Sequence, residues 1–283
     1  MGTYPITKAT HRHTSLPCIL YHSLTPSKHT PAHFYKVAKL LETAGYTCVG
    51  IELPCNSSSP YIDGRLVGID DDMAAIRKTV LSQLETGHDV VVLTHSYGCI
   101  PGPAALAGLD IGTRSADGQS NGVKAVVMIA GFMCPPGNTM LAMMGGQLLP
   151  QYLHEGDTTL PFNGPGALHM LYNDVETNEA LKAVWKLKPQ SYAVNTSIIP
   201  DQLAGLKGIP LNFLLCSKDN ATPWEAQTGS VRGFRGAGVE VYAEVAESGH
   251  SPFLNFPDET ARFVRRAAGE EVESGFGVYD EAS

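Results

Sequence analysis

The sequence has no apolar run of about 20 residues, the length a membrane-crossing helix needs, and no apolar stretch of roughly 7–15 residues near Met1 of the kind a secretory leader carries. A cytoplasmic location with no membrane partner is expected. Charge is scarce, with Asp, Glu, Lys and Arg making up 17% of the 283 residues, below the ~25% of average globular domains. Lys and Arg number 20 against 28 Asp and Glu, a net charge of −8, and no basic run exceeds the pair Arg265-Arg266. Nothing here would neutralise phosphates, so nucleic acid and anionic bilayers are excluded as partners. The six cysteines form no C-x-x-C pair and sit mostly in apolar runs such as Pro17-Cys18-Ile19-Leu20 and Leu214-Leu215-Cys216, where a thiol acts as a small hydrophobe. They are expected to be reduced. No internal repeat occurs, and a hydrophobic content of 43% excludes a wholly disordered chain.

What is present is alternation. Short apolar runs rich in β-branched residues fall at 17–22, 46–51, 88–94, 123–130, 209–216 and 239–245, separated by segments of helical period. Pro31 to Ala44 carries Phe34, Val37, Leu40 and Leu41 at three- and four-residue spacing, and Asp70 to Leu84 carries Met73, Ile76, Val80 and Leu84. Each stripe predicts a crossover helix, with Asp70-Asp71-Asp72 favouring the positive end of the second dipole. The pattern predicts an α/β fold, a mostly parallel sheet of about six strands with helices on both faces. Residues 1–134 and 201–270 form its core. Residues 135–200 break the alternation with Gly145-Gly146, Pro150, Pro161 and Pro165, and five of the eight methionines lie within 133–170. An inserted helical cap is expected there. The segment 110–122 reads as a polar surface loop and 271–283 as an acidic mobile tail.

The strand Val90-Val91-Val92-Leu93 runs into Thr94-His95-Ser96-Tyr97-Gly98 and then a small-residue helical segment. A tight strand-to-helix turn of this kind forces the serine into a strained conformation with its hydroxyl exposed, a nucleophile elbow. A serine hydroxyl needs a base, and the base needs an acid to fix its tautomer. Asp219 follows the strand ending at Cys216, and His250 follows the strand ending near Val245. Both stand just beyond strand C-termini, where ligand sites of open α/β sheets form, so Ser96, Asp219 and His250 can converge as catalytic residues. The oxyanion donors are expected to be the backbone N–H groups of Leu24 and Tyr97. Other histidines compete less well. His95 is assigned packing support, and His29 with His33, four residues apart but without a third ligand, are expected to be surface residues at a helix start rather than a metal site. No metal is expected.

With these residues in place, the chain resembles the α/β-hydrolases, in the branch that contains plant methylesterases, hydroxynitrile lyases and their fungal and bacterial relatives. The resemblance runs from about Pro17 to Ala268. Tyr21-His22-Ser23, Ala44-Gly45-Tyr46, Glu52-Leu53-Pro54, His95-Ser96-Tyr97-Gly98, Lys188-Pro189-Gln190-Ser191, Asp219 and Gly249-His250-Ser251-Pro252-Phe253-Leu254 carry it. It implies a helical cap inserted after the sixth strand and no cofactor. This chain departs from the pattern at Thr94, Ser23 and Cys99, each standing where a glycine is usual. The lyases of the branch carry a hydroxyl residue where Ser23 stands and a lysine directly after the catalytic histidine. Here Ser251 takes the lysine position, and a cyanide leaving group needs that cation, which favours hydrolysis.

The expected function is cleavage of an ester or lactone of a small, fairly apolar molecule through an acyl-enzyme. His22, Ser23, Met133, Met140, Met143 and Met144 are the candidate substrate pocket. A C–C hydrolase, lyase or cyclase of fungal secondary metabolism on the same triad is the alternative, and a catalytically inactive ligand-binding relative is the third reading. A monomer or homodimer is expected.

Overall fold

Seven strands make one sheet in the computed structural model, which describes residues 18–24, 29–57, 59–148, 150, 152–161 and 163–280. Of 20–24, 160–161 and 163–164 it describes the backbone alone. Strands β1 (Cys18–Leu24), β2 (Cys48–Gly50), β3 (Val90–Ser96), β4 (Val123–Ile129), β5 (Leu211–Cys216) and β6 (Val241–Ala246) are parallel. A two-residue β7 (Gly277–Val278) pairs antiparallel with β6, and the order is β7-β6-β5-β4-β3-β1-β2. Each predicted apolar run coincides with one parallel strand. Strand β3 lies inside the sheet, and all seven of its residues are buried.

Burial on both faces explains the unbroken apolar runs. Val90 and Val92 pack with Ile76, Val80 and Leu84 of α2 (Ile69–Glu85) and Phe234 of α6 (Trp224–Gly236). Val91 and Leu93, one residue out of phase, pack with Val37 and Leu41 of α1 (Tyr35–Thr43) and Phe263 and Val264 of α7 (Pro257–Ala267). The period-two alternation of a strand thus feeds two cores at once. Each such side chain stabilises the fold by about 1.5–3 kcal/mol through burial. Among the described residues no helix is long and apolar enough to cross a membrane.

Residues 135–200 leave the sheet after β4 and rejoin it before β5. They contain α4 (Asn163–Leu171) and α5 (Thr177–Trp185), short helical turns at Met140–Met143 and Ala193–Thr196, and a feature the sequence reading did not include. Tyr152–Glu155, Thr158–Pro161 and Gln190–Ser191 form a separate three-stranded antiparallel sheet. Its hairpin closes on Gly156-Asp157, with Gly156 at φ +55°, as two-residue hairpin loops require.

Three further expectations change. The predicted surface loop at 110–122 contains a helix, Ile111–Ala116, because the Asp110 side chain accepts from the Thr113 N–H at 2.8 Å and caps it. Within the predicted mobile tail, Gly277 and Val278 extend the sheet and Ser274 is buried against Glu244, so this stretch is docked, whereas 281–283 lie outside the described residues. His29 and His33 are each 1% exposed rather than on the surface. Their polar atoms are satisfied inside: His29 Nε2 lies 2.6 Å from the Tyr172 hydroxyl, and His33 Nε2 donates to the Ala183 carbonyl at 3.0 Å.

Candidate active site

Ser96 ends β3 with φ +53° and ψ −123°. A non-glycine residue held there is strained, and the strain comes from the abrupt passage from β3 into the helical turn Tyr97–Cys99 and then α3 (Pro101–Ala104). Two departures from the glycine pattern face one another beneath this turn. Thr94 Oγ1 donates to the Val127 carbonyl at 3.1 Å and lies 3.2 Å from Cys99 Sγ. Room for the thiol comes from Gly131, where an added Cβ would stand 2.5 Å from Cys99 Sγ.

Asp219 lies in the turn after β5. Its Oδ1 accepts from the N–H groups of Ala221 and Thr222 at 2.7 and 2.9 Å, which aims Oδ2 at His250 Nδ1, 2.7 Å away. A carboxylate accepts here, so Nδ1 carries the proton and Nε2 presents a lone pair. His250 Nε2 and Ser96 Oγ are both buried, and neither has a hydrogen-bond partner among the described residues. The loop bearing His250 is fixed from two sides. His95 Nε2 donates to the His250 carbonyl at 2.8 Å, and the Gly249 N–H donates to Asp174 Oδ2 at 2.7 Å. A Cβ on Gly249 would fall 2.1 Å from Asn173 Oδ1 and 2.6 Å from Asp174 Oδ1, so glycine leaves these two side chains of the 135–200 segment where they are.

Strand β1 runs beside β3 with Leu24 opposite Ser96, which brings the backbone of Leu24 alongside the elbow. The side chains of His22, Ser23 and Leu24 lie outside the described residues. Tyr97 is buried with its hydroxyl donating to Asp72 Oδ2 at 2.9 Å, and Asp72 Oδ1 accepts from the Cys55 N–H at 3.0 Å. The aspartate triplet at the start of α2 therefore divides its work. Asp71 pairs with Arg65 and accepts from the Gly68 N–H at 2.9 Å, whereas Asp72 turns inward under the elbow. Burial pushes the Asp72 carboxyl up to about 7. Burial also holds His29 and His95 well below the usual histidine range and lowers His33 to about 4.

A cavity of about 680 Å³ opens at Ser96. Met133, Met140, Met143 and Met144 line it, with Phe132 and Pro135 from the same stretch and Ala221, Pro223 and Ala226 from the β5 side. Tyr152 also lines it, a residue the sequence reading did not single out, since one tyrosine at the start of a short strand carries no local signal.

Comparison with known proteins agrees with this architecture. The curated relative alpha/beta hydrolase nvfD from Aspergillus novofumigatus is 31% identical over 252 residues, covering 87% of this chain and 94% of the relative. A solved pyrethroid hydrolase from Sphingobium faniae JZ-2 superposes with a TM-score of 0.67 at 17% identity, covering 90% of this chain and 98% of the other. The methylesterase MES16 from Arabidopsis superposes with a TM-score of 0.63 at 20% identity, covering 89% and 99%. At these identities the two structures speak to the fold alone. The profile of the alpha/beta hydrolase family matches residues 21–263, and with the shared sequence of nvfD this shows that the chain belongs to that family.

Proposed function

We propose that the chain is a serine hydrolase cleaving an ester or lactone of a small, fairly apolar substrate through an acyl-enzyme. One observation carries the reading: Asp219 and His250 pair at 2.7 Å in the interior, while His250 Nε2 and Ser96 Oγ are both buried and unpartnered among the described residues. Buried polar atoms ordinarily find partners, so two orphans, one of them on the serine that lines the cavity, suit a reacting group that arrives with the substrate. In this reading Ser96 Oγ attacks the carbonyl carbon as His250 Nε2 takes its proton, and Asp219 stabilises the imidazolium. The oxyanion is held by the N–H groups of Leu24 and Tyr97. The proton passes to the departing alkoxide, which in a lactone stays tethered to the acyl group. Water then attacks the acyl carbon with His250 again as base, releasing the acid and Ser96.

The methionine-rich wall supports an apolar substrate body. Hydrolysis is favoured over cyanide-releasing lyase chemistry because Ser251, buried and uncharged, follows His250 where a cation would be needed. The test is labelling by a fluorophosphonate together with turnover of p-nitrophenyl butyrate. Modification of Ser96 by mass spectrometry and loss of both signals in Ser96→Ala are expected. A folded wild type that neither labels nor turns over the ester overturns the reading.

A further inference from the structure

We propose that Tyr152 selects the substrate, donating a hydrogen bond from its phenol to a second oxygen on an otherwise apolar ester or lactone held at Ser96. The proposal rests on the serine-hydrolase reading for the chemistry at Ser96 and adds the substrate class: a bulky apolar body with one hydroxyl, ketone or ether oxygen besides the scissile group.

The argument begins with the cavity wall. At about 680 Å³ the space exceeds what a short acyl chain fills, and its methionine, phenylalanine and proline surfaces offer a substrate no polar partner. The hydroxyls on the wall are committed, apart from Ser96 and Tyr152. Thr222 Oγ1 donates to the Ala130 carbonyl at 3.1 Å, and Ser230 Oγ donates to the Ala226 carbonyl at 2.6 Å while accepting from the Met133 N–H at 2.7 Å. Glu225 is exposed at the surface. Tyr152 is different, being 9% exposed with a phenol that makes no hydrogen bond among the described residues.

A tyrosine hydroxyl ordinarily has a partner. The Tyr152 oxygen is not among the side-chain atoms that are both fully buried and unpartnered, so it keeps some exposure in a residue that lines the cavity. A substrate that fills the cavity without bonding it would leave a desolvated donor unpaired, at a cost in free energy. A phenylalanine would fill the same volume without that cost. The strand Tyr152–Glu155 turns only Tyr152 inward, its next three residues being exposed, so the ring is presented at the end of a paired hairpin. Burial and the nearby Asp219 carboxylate both push the phenol upward, which keeps it protonated and a donor at any working pH. Tyr152 and Ser96 line the same cavity, so the oxygen that meets the phenol and the scissile carbonyl at Ser96 belong to one bound molecule.

The test uses 4-nitrophenyl octanoate and analogues in which one chain methylene at a time is replaced by an ether oxygen, with rates corrected for alkaline hydrolysis. Wild type is expected to prefer one ether position over octanoate by about tenfold in kcat/KM, the share one neutral hydrogen bond supplies. In Tyr152→Phe, a change that keeps the ring, that ratio should collapse to near one. Equilibrium binding of the same series to Ser96→Ala and to the Ser96→Ala, Tyr152→Phe double variant reads the same ratio without turnover. No ether preference in wild type, or a preference that survives Tyr152→Phe, overturns the proposal, including a uniform loss across all esters. An ether preference in binding that vanishes with the phenol, in a wild type that hydrolyses none of the series, removes the hydrolase reading and leaves Tyr152 as the recognising group.

Discussion

At the scale of single residues, the site depends on a few atoms held where they would not rest by themselves. Ser96 at φ +53° is the sharpest case. Ser96→Ala should lower kcat to less than ~1% of wild type, the level left by other triad knockouts. Its thermal midpoint should not fall, because the hydroxyl it removes is buried and unpartnered among the described residues. Retained turnover in a continuous ester assay would move the nucleophile elsewhere. Asp219→Asn keeps the shape but offers His250 an amide where Nδ1–H needs an acceptor, and a loss of ~10⁴-fold in kcat is expected by analogy with serine proteases. Activity within tenfold of wild type would show that another acid orients His250. Ser96, Asp219 and His250 could be singled out in the sequence because each stands at, or a few residues beyond, the C-terminal end of a strand. Tyr152 and Asp72 could not, since what matters about them is which distant groups they meet.

Elements explain why these residues converge. Three successive crossovers bring the ends of β3, β5 and β6 to one edge of the sheet, and the 135–200 segment closes over that edge by touching the His250 loop. Gly249 is the point of contact. Gly249→Ala would drive a methyl group to within 2.1 Å of Asn173 Oδ1 and within 2.6 Å of Asp174 Oδ1. Relief requires the Asn173 and Asp174 side chains to swing away, giving up the Asp174 bond that anchors the Gly249 N–H, or the loop itself to shift. A displacement of about 1 Å at a catalytic base costs about 10²-fold in rate. The expected outcome is a large fall in kcat with a cooperative urea transition preserved, measured by esterase assay and circular dichroism. Unchanged kcat would mean that the insertion does not position His250. The strands themselves were legible because both their faces are buried, leaving continuous apolar runs. The hairpin at Gly156-Asp157 was legible in principle, yet its strands carry only a weak alternation between exposed faces and pass for loop.

Across the whole molecule, buried ionisable groups tie stability to pH in opposite directions. His33, lowered to about 4 from an unfolded value near 6.5, binds fewer protons folded than unfolded in that window, so stability falls as pH drops through it. The full effect is about 3 kcal/mol. His29 and His95, also lowered by burial, act in the same sense. Asp72, raised to about 7, binds more protons folded than unfolded between about 4 and 7, so its contribution is lost as pH rises through that range, about 4 kcal/mol in all. Three histidines outweigh one aspartate below pH 6.5, and the aspartate alone acts just above it. Thermal midpoints by differential scanning fluorimetry should therefore peak near pH 6.5, falling toward pH 4.5 and more gently toward pH 7.5. In Asp72→Asn, which keeps the shape without the charge, the fall above the peak should disappear. A midpoint that rises steadily on acidification would contradict the neutral burial of the histidines.

The sequence by itself determined the layered sheet, the elbow at Ser96 and the order of serine, acid and histidine, because those features are written in short windows: apolar runs, a strained pentapeptide, polar residues at strand ends. Tertiary structure decided the rest. Whether His29 and His33 face solvent or the interior depends on Tyr172 and Ala183, more than 140 positions away, which supply their hydrogen-bond partners. Gly277 and Val278, in the acidic segment after Gly269, join the sheet because β6 leaves an open edge for them. The cavity at Ser96 is likewise a product of distance, shaped where the 135–200 segment meets the turn after β5. Local propensity is fixed by neighbours in the chain, whereas burial and partnership are fixed by neighbours in space.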